Sequence, residues 1–200
     1  GHSFSNIADT PGVLVSLAGL PQRVEIDVEQ STARVSAGIR YTELCPRLNS
    51  NGYALHNLGS LPHVSVAGSC ATATHGSGDG NGNLATAVSA IELVTADGSL
   101  RSLSRKADGD LFNGAVVGLG SVGIVTSLTL DLQPSFDVQQ YVFEGLPFDV
   151  LVARTDEIFA GVIDSQVPNP TLSDCDAEKF GELVERLDDD GARGGLIAIA

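Results

Sequence analysis

The chain has 200 residues, of which 42 % are hydrophobic and 18 % are charged, a balance typical of a folded globular protein. Its formal net charge is −14, with 11 lysines and arginines against 25 acidic residues. This charge argues against nucleic acids and anionic membranes as partners, because both require clustered basic side chains.

The first predicted elements are a short strand and a hairpin. Residues 13–17 form a branched apolar run that is suited to a buried strand. Residues 23–29 and 32–38 alternate polar and apolar side chains, the pattern of half-buried strands. A turn of two residues separates them, so the sequence predicts that they pair as a hairpin.

A helix and a loop follow. Residues 41–48 place apolar side chains at helical spacing, although Pro46 could shorten or bend the helix. Gly52 supplies a left-handed stop after it. From residue 56 to residue 83 glycine, serine, alanine and threonine dominate, which predicts a buried loop with little side-chain bulk.

The second half predicts more strands. Residues 88–94 and 100–103 are joined by a tight turn, and residues 110–117 form a short helix. Residues 124–132 alternate as another strand, which Pro134 should stop.

Beyond residue 148 the composition changes. Residues 151–159 are compatible with a helix, and residues 176–187 form an acidic amphipathic helix. We find no residues with an evident chemical role in this last quarter.

The three cysteines are an odd number without paired spacing, so we expect reduced thiols and neither a disulfide framework nor a metal site. The sequence contains no apolar run of membrane-spanning length and no signal-peptide pattern, which predicts a cytoplasmic protein without a membrane partner. It begins at Gly1 and contains no methionine, so we expect an internal fragment of a longer product.

Three short segments could carry chemistry: residues 1–4, 59–78 and 118–126. With few basic residues, a diphosphate would be held mainly by backbone N–H groups, which requires small residues where the backbone approaches it. Residues 59–78 meet that requirement, and the chain lacks the strand–GxGxxG–helix context of a Rossmann site and the lysine of a nucleotide-triphosphate loop. A glycine-rich loop that only turns tightly is the alternative, and composition leaves both readings open.

The order and spacing of four stretches resemble the FAD domain of the vanillyl-alcohol-oxidase-type flavoproteins. They are residues 1–4 (GHSF), 35–44, 60–78 and 120–126 (GSVGIVT). They are most similar to those of the bacterial alditol (xylitol, sorbitol) oxidases, and the likeness runs from the first residue to about residue 148.

The resemblance implies an α+β fold of the PCMH type, with FAD between two small lobes. It implies a partial FAD-binding domain over residues 1–148, incomplete at its N-terminus. Residues 149–200 are then a divergent tail or the start of a substrate domain that is otherwise missing. A domain without its first strands leaves a sheet edge unpaired, so we expect this chain alone to be unstable or to bind FAD weakly.

The resemblance also implies a covalent bond between His2 and the flavin ring, which would raise the affinity of the flavin for electrons. A chain start reading Gly-His-Ser can instead be the remnant of an expression tag. We favour the flavin link, because residues 4–8 continue the family pattern.

Further site residues follow from the same resemblance. Ser60 is expected at the reacting face of the flavin, and Gly59 at a gating position that leaves room for O2. We assign no catalytic role to His56 or His63, because a histidine beside a loop is more often structural. The residues expected to bind FAD are Gly1, His2, Ser3, Ser60, Ser65, Gly68, Thr72, Ala73, Thr74, His75, Gly76, Ser77, Gly120, Gly123, Ile124 and Val125.

The function implied is an FAD-dependent oxidase that transfers hydride from a polyol hydroxyl to flavin and reduces O2 to hydrogen peroxide. One alternative is a sugar-lactone oxidase or dehydrogenase of the same superfamily. Another is a catalytically incomplete flavin-binding fragment. The sequence names neither the polyol, the catalytic base nor the oligomeric state.

Overall fold

A computed structural model describes residues 6–76, 80–137 and 146–156. The described residues up to Ser135, apart from Gly80, belong to one compact unit, and the segment around residue 150 belongs to a second. Residues 59–76 and 118–126, the described parts of the two predicted glycine-rich segments, lie in the first unit. The elements in chain order are β1 (Val24–Asp27), β2 (Thr32–Ser36), α1 (Tyr41–Asn49), β3 (Tyr53–Ala54), α2 (Val66–Ala71), a 3-10 helix (Leu84–Ala87), β4 (Val88–Val94), β5 (Leu100–Ser104), α3 (Arg105–Val116), β6 (Ile124–Asp131), β7 (Gln133–Pro134) and α4 (Phe148–Ala153).

The main structural element is a five-stranded sheet in the order β1-β2-β6-β4-β5. All four of its pairings are antiparallel. In β6, Leu128 lies opposite Val35 of β2 on one side and Ile91 of β4 on the other. These three side chains are almost fully buried, so the core is built on the middle of the sheet.

The two predicted hairpins are confirmed. Strands β1 and β2 pair with Val24 opposite Val35, and β4 and β5 pair with Ile91 opposite Leu103. The alternation of polar and apolar residues therefore identified these strands, although β1 is shorter than predicted. The mixed content of helices and antiparallel strands also confirms the α+β class.

Helix α1 is confirmed, and Pro46 lies inside it without breaking it. Leu44 and Leu48 are completely or almost completely buried, and this packing holds the helix together across the missing backbone donor of the proline. Gly52 follows the helix with φ +79°, the left-handed conformation that glycine adopts without strain.

The predicted strand at residues 13–17 is wrong. No strand is present there, and Val13 and Leu14 are 90 % and 74 % exposed. A branched apolar run becomes a strand only where a neighbouring strand offers hydrogen-bonding partners. In the described structure this segment instead turns at Leu17, whose carbonyl oxygen accepts from Leu20 N at 3.1 Å.

Helix α3 begins five residues earlier than predicted. The side chain of Ser104 caps it by accepting a hydrogen bond from Ala107 N at 3.2 Å. The helix is kinked at Gly109, where φ is +49°, and this break hides its first turn from a periodicity argument. Phe112 is 2 % exposed and anchors the helix on the sheet.

The remaining predictions concern Pro134 and the helices beyond residue 148. The strand predicted at residues 124–132 is confirmed as β6, which ends at Asp131, before Pro134. Pro134 lies in the separate strand β7, which pairs with β3 through Tyr53 opposite Pro134. Helix α4 overlaps the predicted helix at residues 151–159 but starts at Phe148. Residues 157–159 and the predicted helix at 176–187 lie outside the described residues.

Within the described residues, no helix is long and apolar enough to cross a membrane. No group of three or more His, Cys, Asp or Glu side chains is placed to hold a metal ion in the same ranges.

Candidate functional site

The first glycine-rich segment contains a short helix that the sequence did not reveal. Helix α2 has six residues, and Ser65 caps it, its side chain accepting from Gly68 N at 3.3 Å. Val66 and Cys70 are almost fully buried, whereas Gly68 is exposed. Small residues blur the apolar periodicity here, so the predicted buried loop is in part a helix.

The first amides of α2 are all satisfied within the protein. The N–H groups of residues 66–69 donate at 2.9, 3.2, 3.3 and 3.1 Å respectively. A diphosphate held by this segment therefore has to find its backbone donors elsewhere. The acceptors, in the same order, are Ile39 O, Ala37 O, Ser65 Oγ and Ser65 O.

Unused donors follow the helix. Ala73 has φ +51°, and this turn brings the hydroxyls of Thr72 and Thr74 within 3.2 Å of each other. The amides of His75 and Gly76 have no acceptor among the described residues. Two successive N–H groups can bind phosphate oxygens, whereas the Thr72 hydroxyl already donates to Gly68 O at 3.0 Å.

Gly76 packs tightly against the segment that carries Gly59 and Ser60. A Cβ on Gly76 would overlap the carbonyl oxygen of Leu58 and come within 2.5 Å of Asn57 Oδ1. The buried Nδ2 of Asn57 has no hydrogen-bond partner among the described residues. Glycine at this position therefore allows the two stretches of backbone to approach each other directly.

Gly59 lies on the other side of the same contact. A Cβ there would meet Thr74 Cγ2 at 3.6 Å and Leu84 Cδ1 at 3.9 Å, which are ordinary van der Waals distances. The structure thus brings Gly59 and Thr74 together, as a shared site requires. Ser60, next along the chain, is exposed to solvent.

The second glycine-rich segment, residues 118–123, is joined to the first. Leu119 N donates to Ala71 O, the last carbonyl of α2, at 3.1 Å. Leu119 and Gly120 have φ of +52° and +77°, and Gly123 has φ +142°. The two segments that resemble a flavoprotein therefore meet in space, although about 50 residues separate them along the chain.

A buried hydroxyl network supports α2 from below. The hydroxyls of Tyr41 and Ser69 lie 2.9 Å apart, and Ser69 Oγ donates to Val66 O at 2.9 Å. Burial raises the pKa of Tyr41 well above its usual range and raises the pKa of the Cys70 thiol to about 11. Both groups therefore stay protonated at neutral pH, so their role is to hold the helix in place.

His56 is a second structural group near the site. Its Nε2 lies 3.2 Å from Thr86 Oγ1. Loss of solvent lowers the pKa of His56 below 6.5, and the charge of Asp131 opposes part of that shift. The imidazole is neutral at physiological pH and its hydrogen bond is to a threonine, in keeping with the absence of a predicted catalytic role.

Protonation of His56 makes the free energy of unfolding depend on pH. Because the folded pKa lies below the unfolded value, the unfolded chain takes up the proton first as the pH falls through 6.5. We expect His56→Gln to flatten the decline of the urea midpoint between about pH 7 and pH 5. Parallel declines in the variant and the parent would contradict this assignment.

Four predicted site residues lie outside the described residues: Gly1, His2, Ser3 and Ser77. The covalent link through His2 therefore stays a prediction. The rest occupy the joined segments, where Ile124 is 39 % exposed and Val125 is half-buried. Sequence reasoning did not single out Asn57, Leu58 or Leu119, since nothing in their residue types signals the contacts they make.

Comparisons with known proteins identify the fold. The family model described as "FAD binding domain" matches residues 1–104. The chain is 53 % identical over 150 residues to an alditol oxidase from Streptomyces sp., covering 74 % of this chain and 35 % of that protein. It is 36 % identical over 151 residues to L-gulonolactone oxidase from Mus musculus, covering 76 % and 34 %.

A solved structure supports the same fold. The structure of an alkyldihydroxyacetonephosphate synthase superimposes with a TM-score of 0.61 at 23 % identity, covering 72 % of this chain and 27 % of that one. The joined glycine-rich segments and this fold define a PCMH-type FAD-binding domain. The chain belongs to the FAD binding domain family, and FAD is its cofactor. It spans about a third of the length of the curated relatives that it matches.

The residues present fit that cofactor. Gly76 closes the contact with the neighbouring stretch without a side chain. The amides of His75 and Gly76, which have no acceptor among the described residues, lie in this same stretch. A Cβ on Gly120 would meet no atom within 4 Å, so open space adjoins the second segment. A diphosphate requires hydrogen-bond donors on closely approaching backbone, and its attached rings require open space.

Proposed function

We propose that this chain is the FAD-binding part of an oxidase that acts on a polyol (alditol) hydroxyl. The observation that supports this most is the 53 % identity to an alditol oxidase over 150 residues, which includes both joined segments of the site. The cysteines Cys45 and Cys70 are free thiols, which supports the cytoplasm as the proposed location.

The site supports separate roles for the bound cofactor and for the residues of the chain. Bound FAD would accept hydride from the substrate carbon and pass the electrons to O2, which yields hydrogen peroxide. The chain would orient the cofactor through the donors at His75 and Gly76. Exposed Ser60 would hydrogen-bond the substrate hydroxyl beside the flavin. Among the described residues we assign no catalytic base.

A direct test uses the flavin itself. The purified chain, loaded with FAD, is mixed anaerobically with xylitol or sorbitol while the flavin absorbance is followed. Bleaching that reverses on admission of air, with peroxide detected by a peroxidase-coupled dye, is the expected result. Absence of any substrate-dependent bleaching would favour the catalytically incomplete fragment.

Gly59→Ala tests the proposed gate for O2. The added Cβ has ordinary contacts with Thr74 and Leu84, so we expect the folded state and FAD binding to be unchanged. We expect reoxidation of the reduced flavin by O2 to slow by about tenfold or more, since the methyl group would occupy the space proposed for O2. Stopped-flow reoxidation measures this rate.

Gly19→Ala is the matched control for that variant, because a Cβ there meets nothing within 4 Å. Equal reoxidation rates in Gly59→Ala and the parent would remove the gating role.

The covalent link through His2 is tested by mass. Denaturing mass spectrometry is expected to find an increment equal to FAD on the peptide that contains His2, and His2→Ala is expected to release the flavin on denaturation. Release of all flavin from the parent chain would contradict the link.

A sugar-lactone oxidase or dehydrogenase is the second candidate. The 36 % identity to an L-gulonolactone oxidase over a similar span favours it. Flavin bleaching by a lactone and not by an alditol would select this candidate. Reduced flavin that persists in air but reacts with an electron carrier would select the dehydrogenase form.

A further inference from the structure

Leu119 combines two features that are unfavourable for the isolated chain. Its φ is +52°, a left-handed conformation that costs a bulky residue more than it costs glycine. Its side chain is 53 % exposed, so burial in the core does not compensate for that cost. Strained residues of this kind are concentrated at ligand sites.

The position of Leu119 is fixed by a backbone bond. Its N–H donates to Ala71 O at 3.1 Å, which anchors it at the end of α2. Ala71 precedes the turn at Thr72 and Ala73 that leads to the free amides of His75 and Gly76. The leucine side chain thus stands where the second glycine-rich segment meets the first.

Other apolar side chains near Leu119 in the sequence are also partly exposed to solvent. Val122 and Ile124 are each 39 % exposed, and Gly120 between them and Leu119 has open space at its Cβ position. An exposed leucine beside open space, in a domain that binds FAD, is suited to a flat aromatic ring.

We propose that the side chain of Leu119 packs against an aromatic ring of bound FAD, and that the left-handed backbone at this residue aims it there. The proposal rests on FAD binding by the family and not on the proposed oxidase activity. It adds Leu119 to the residues of this segment that the sequence predicted to bind FAD, which are Gly120, Gly123, Ile124 and Val125.

Three variants test the proposal in the apo chain and with FAD. Leu119→Ala removes the packing surface, and we expect its FAD dissociation constant, measured by flavin fluorescence quenching, to rise about tenfold. Leu119→Gly is expected to weaken FAD binding at least as much. Because it also relieves the left-handed strain, its apo melting temperature should rise by about 2–4 °C. Leu111→Ala is the control, since Leu111 is 65 % exposed on α3 and should change neither quantity much.

A Leu119→Gly chain that melts at a higher temperature but binds FAD more weakly identifies a ligand contact. If Leu119 only supported the fold, the variant would lose both stability and FAD affinity. Unchanged FAD binding by Leu119→Ala and Leu119→Gly would overturn the proposal while leaving the family cofactor intact. A lower apo melting temperature for Leu119→Gly would also overturn it. A parent chain that binds no FAD would overturn both the proposal and the role of this chain as a cofactor domain.

FMN and ADP as separate probes then identify the ring. Weaker binding of FMN by Leu119→Ala would place the contact at the flavin, and weaker binding of ADP would place it at the adenine. If neither probe binds more weakly, the proposal is overturned.

Discussion

Replacing Gly76 with alanine is expected to abolish stable FAD binding. The new methyl group would overlap the carbonyl oxygen of Leu58 and lie 2.5 Å from Asn57 Oδ1, so one stretch of backbone has to move. The amides of His75 and Gly76, which have no acceptor among the described residues, would move with it. Hydrogen bonds to a charged group contribute about 1.5–3 kcal/mol each, so we expect loss of both to raise the FAD dissociation constant by about a hundredfold or more.

The measurement is flavin fluorescence quenching on the purified variant, with urea denaturation to report the fold. We expect the unfolding free energy to fall by about 1–3 kcal/mol, which leaves a folded protein to test. Gly59→Ala is the matched control, because its Cβ has room on the same contact. Equal FAD affinities for the two variants would show that this contact does not position the cofactor donors.

The second large effect is expected for Gly123→Ala. Gly123 has φ +142°, a Cβ there would lie 2.5 Å from Val94 O, and Leu93 Cδ1 would be 3.0 Å away. Val94 pairs with Ile124 at the end of the β4–β6 pairing, so relieving the strain has to separate these two strand ends. We expect the free energy of unfolding to fall by about 3–4 kcal/mol.

Gly114→Ala provides the comparison for this variant. Gly114 lies in α3 with nothing within 4 Å of its Cβ position, so alanine should raise the unfolding free energy by about 0.5 kcal/mol. Urea denaturation of the three chains measures both changes. A Gly123→Ala chain as stable as the parent would show that the loop at residues 118–123 is free to shift.

The sequence predicted those elements whose pattern is local. Alternation over residues 23–38 was enough for the first hairpin, and helical spacing was enough for α1. The same reasoning failed at residues 13–17. A branched apolar run shows that a segment can form a strand, but it does not show that a neighbouring strand is present to pair with it. It missed α2, in which Ser, Gly and Ala leave little periodicity to read.

The candidate site was likewise predicted from the sequence only in part. Composition indicated that residues 59–78 could approach a diphosphate, and the resemblance supplied the cofactor. Neither could show that the amides of residues 66–69 are taken up by Ile39, Ala37 and Ser65, because those partners come from another part of the chain. The left-handed backbone of Leu119 was equally hidden, since leucine gives no sign of positive φ.

The strand order has a consequence for how the domain assembles. Strand β6 separates the two hairpins, with β2 on one side and β4 on the other, and Ala37 N donates to Thr126 O just beyond the end of β2. During synthesis, each hairpin emerges with both edges unpaired, and the two can join only after β6 has left the ribosome. Until then Ala37, whose carbonyl oxygen accepts from Ala67 N of α2, lacks its own bond to Thr126, so we expect FAD capture to follow the pairing of β6.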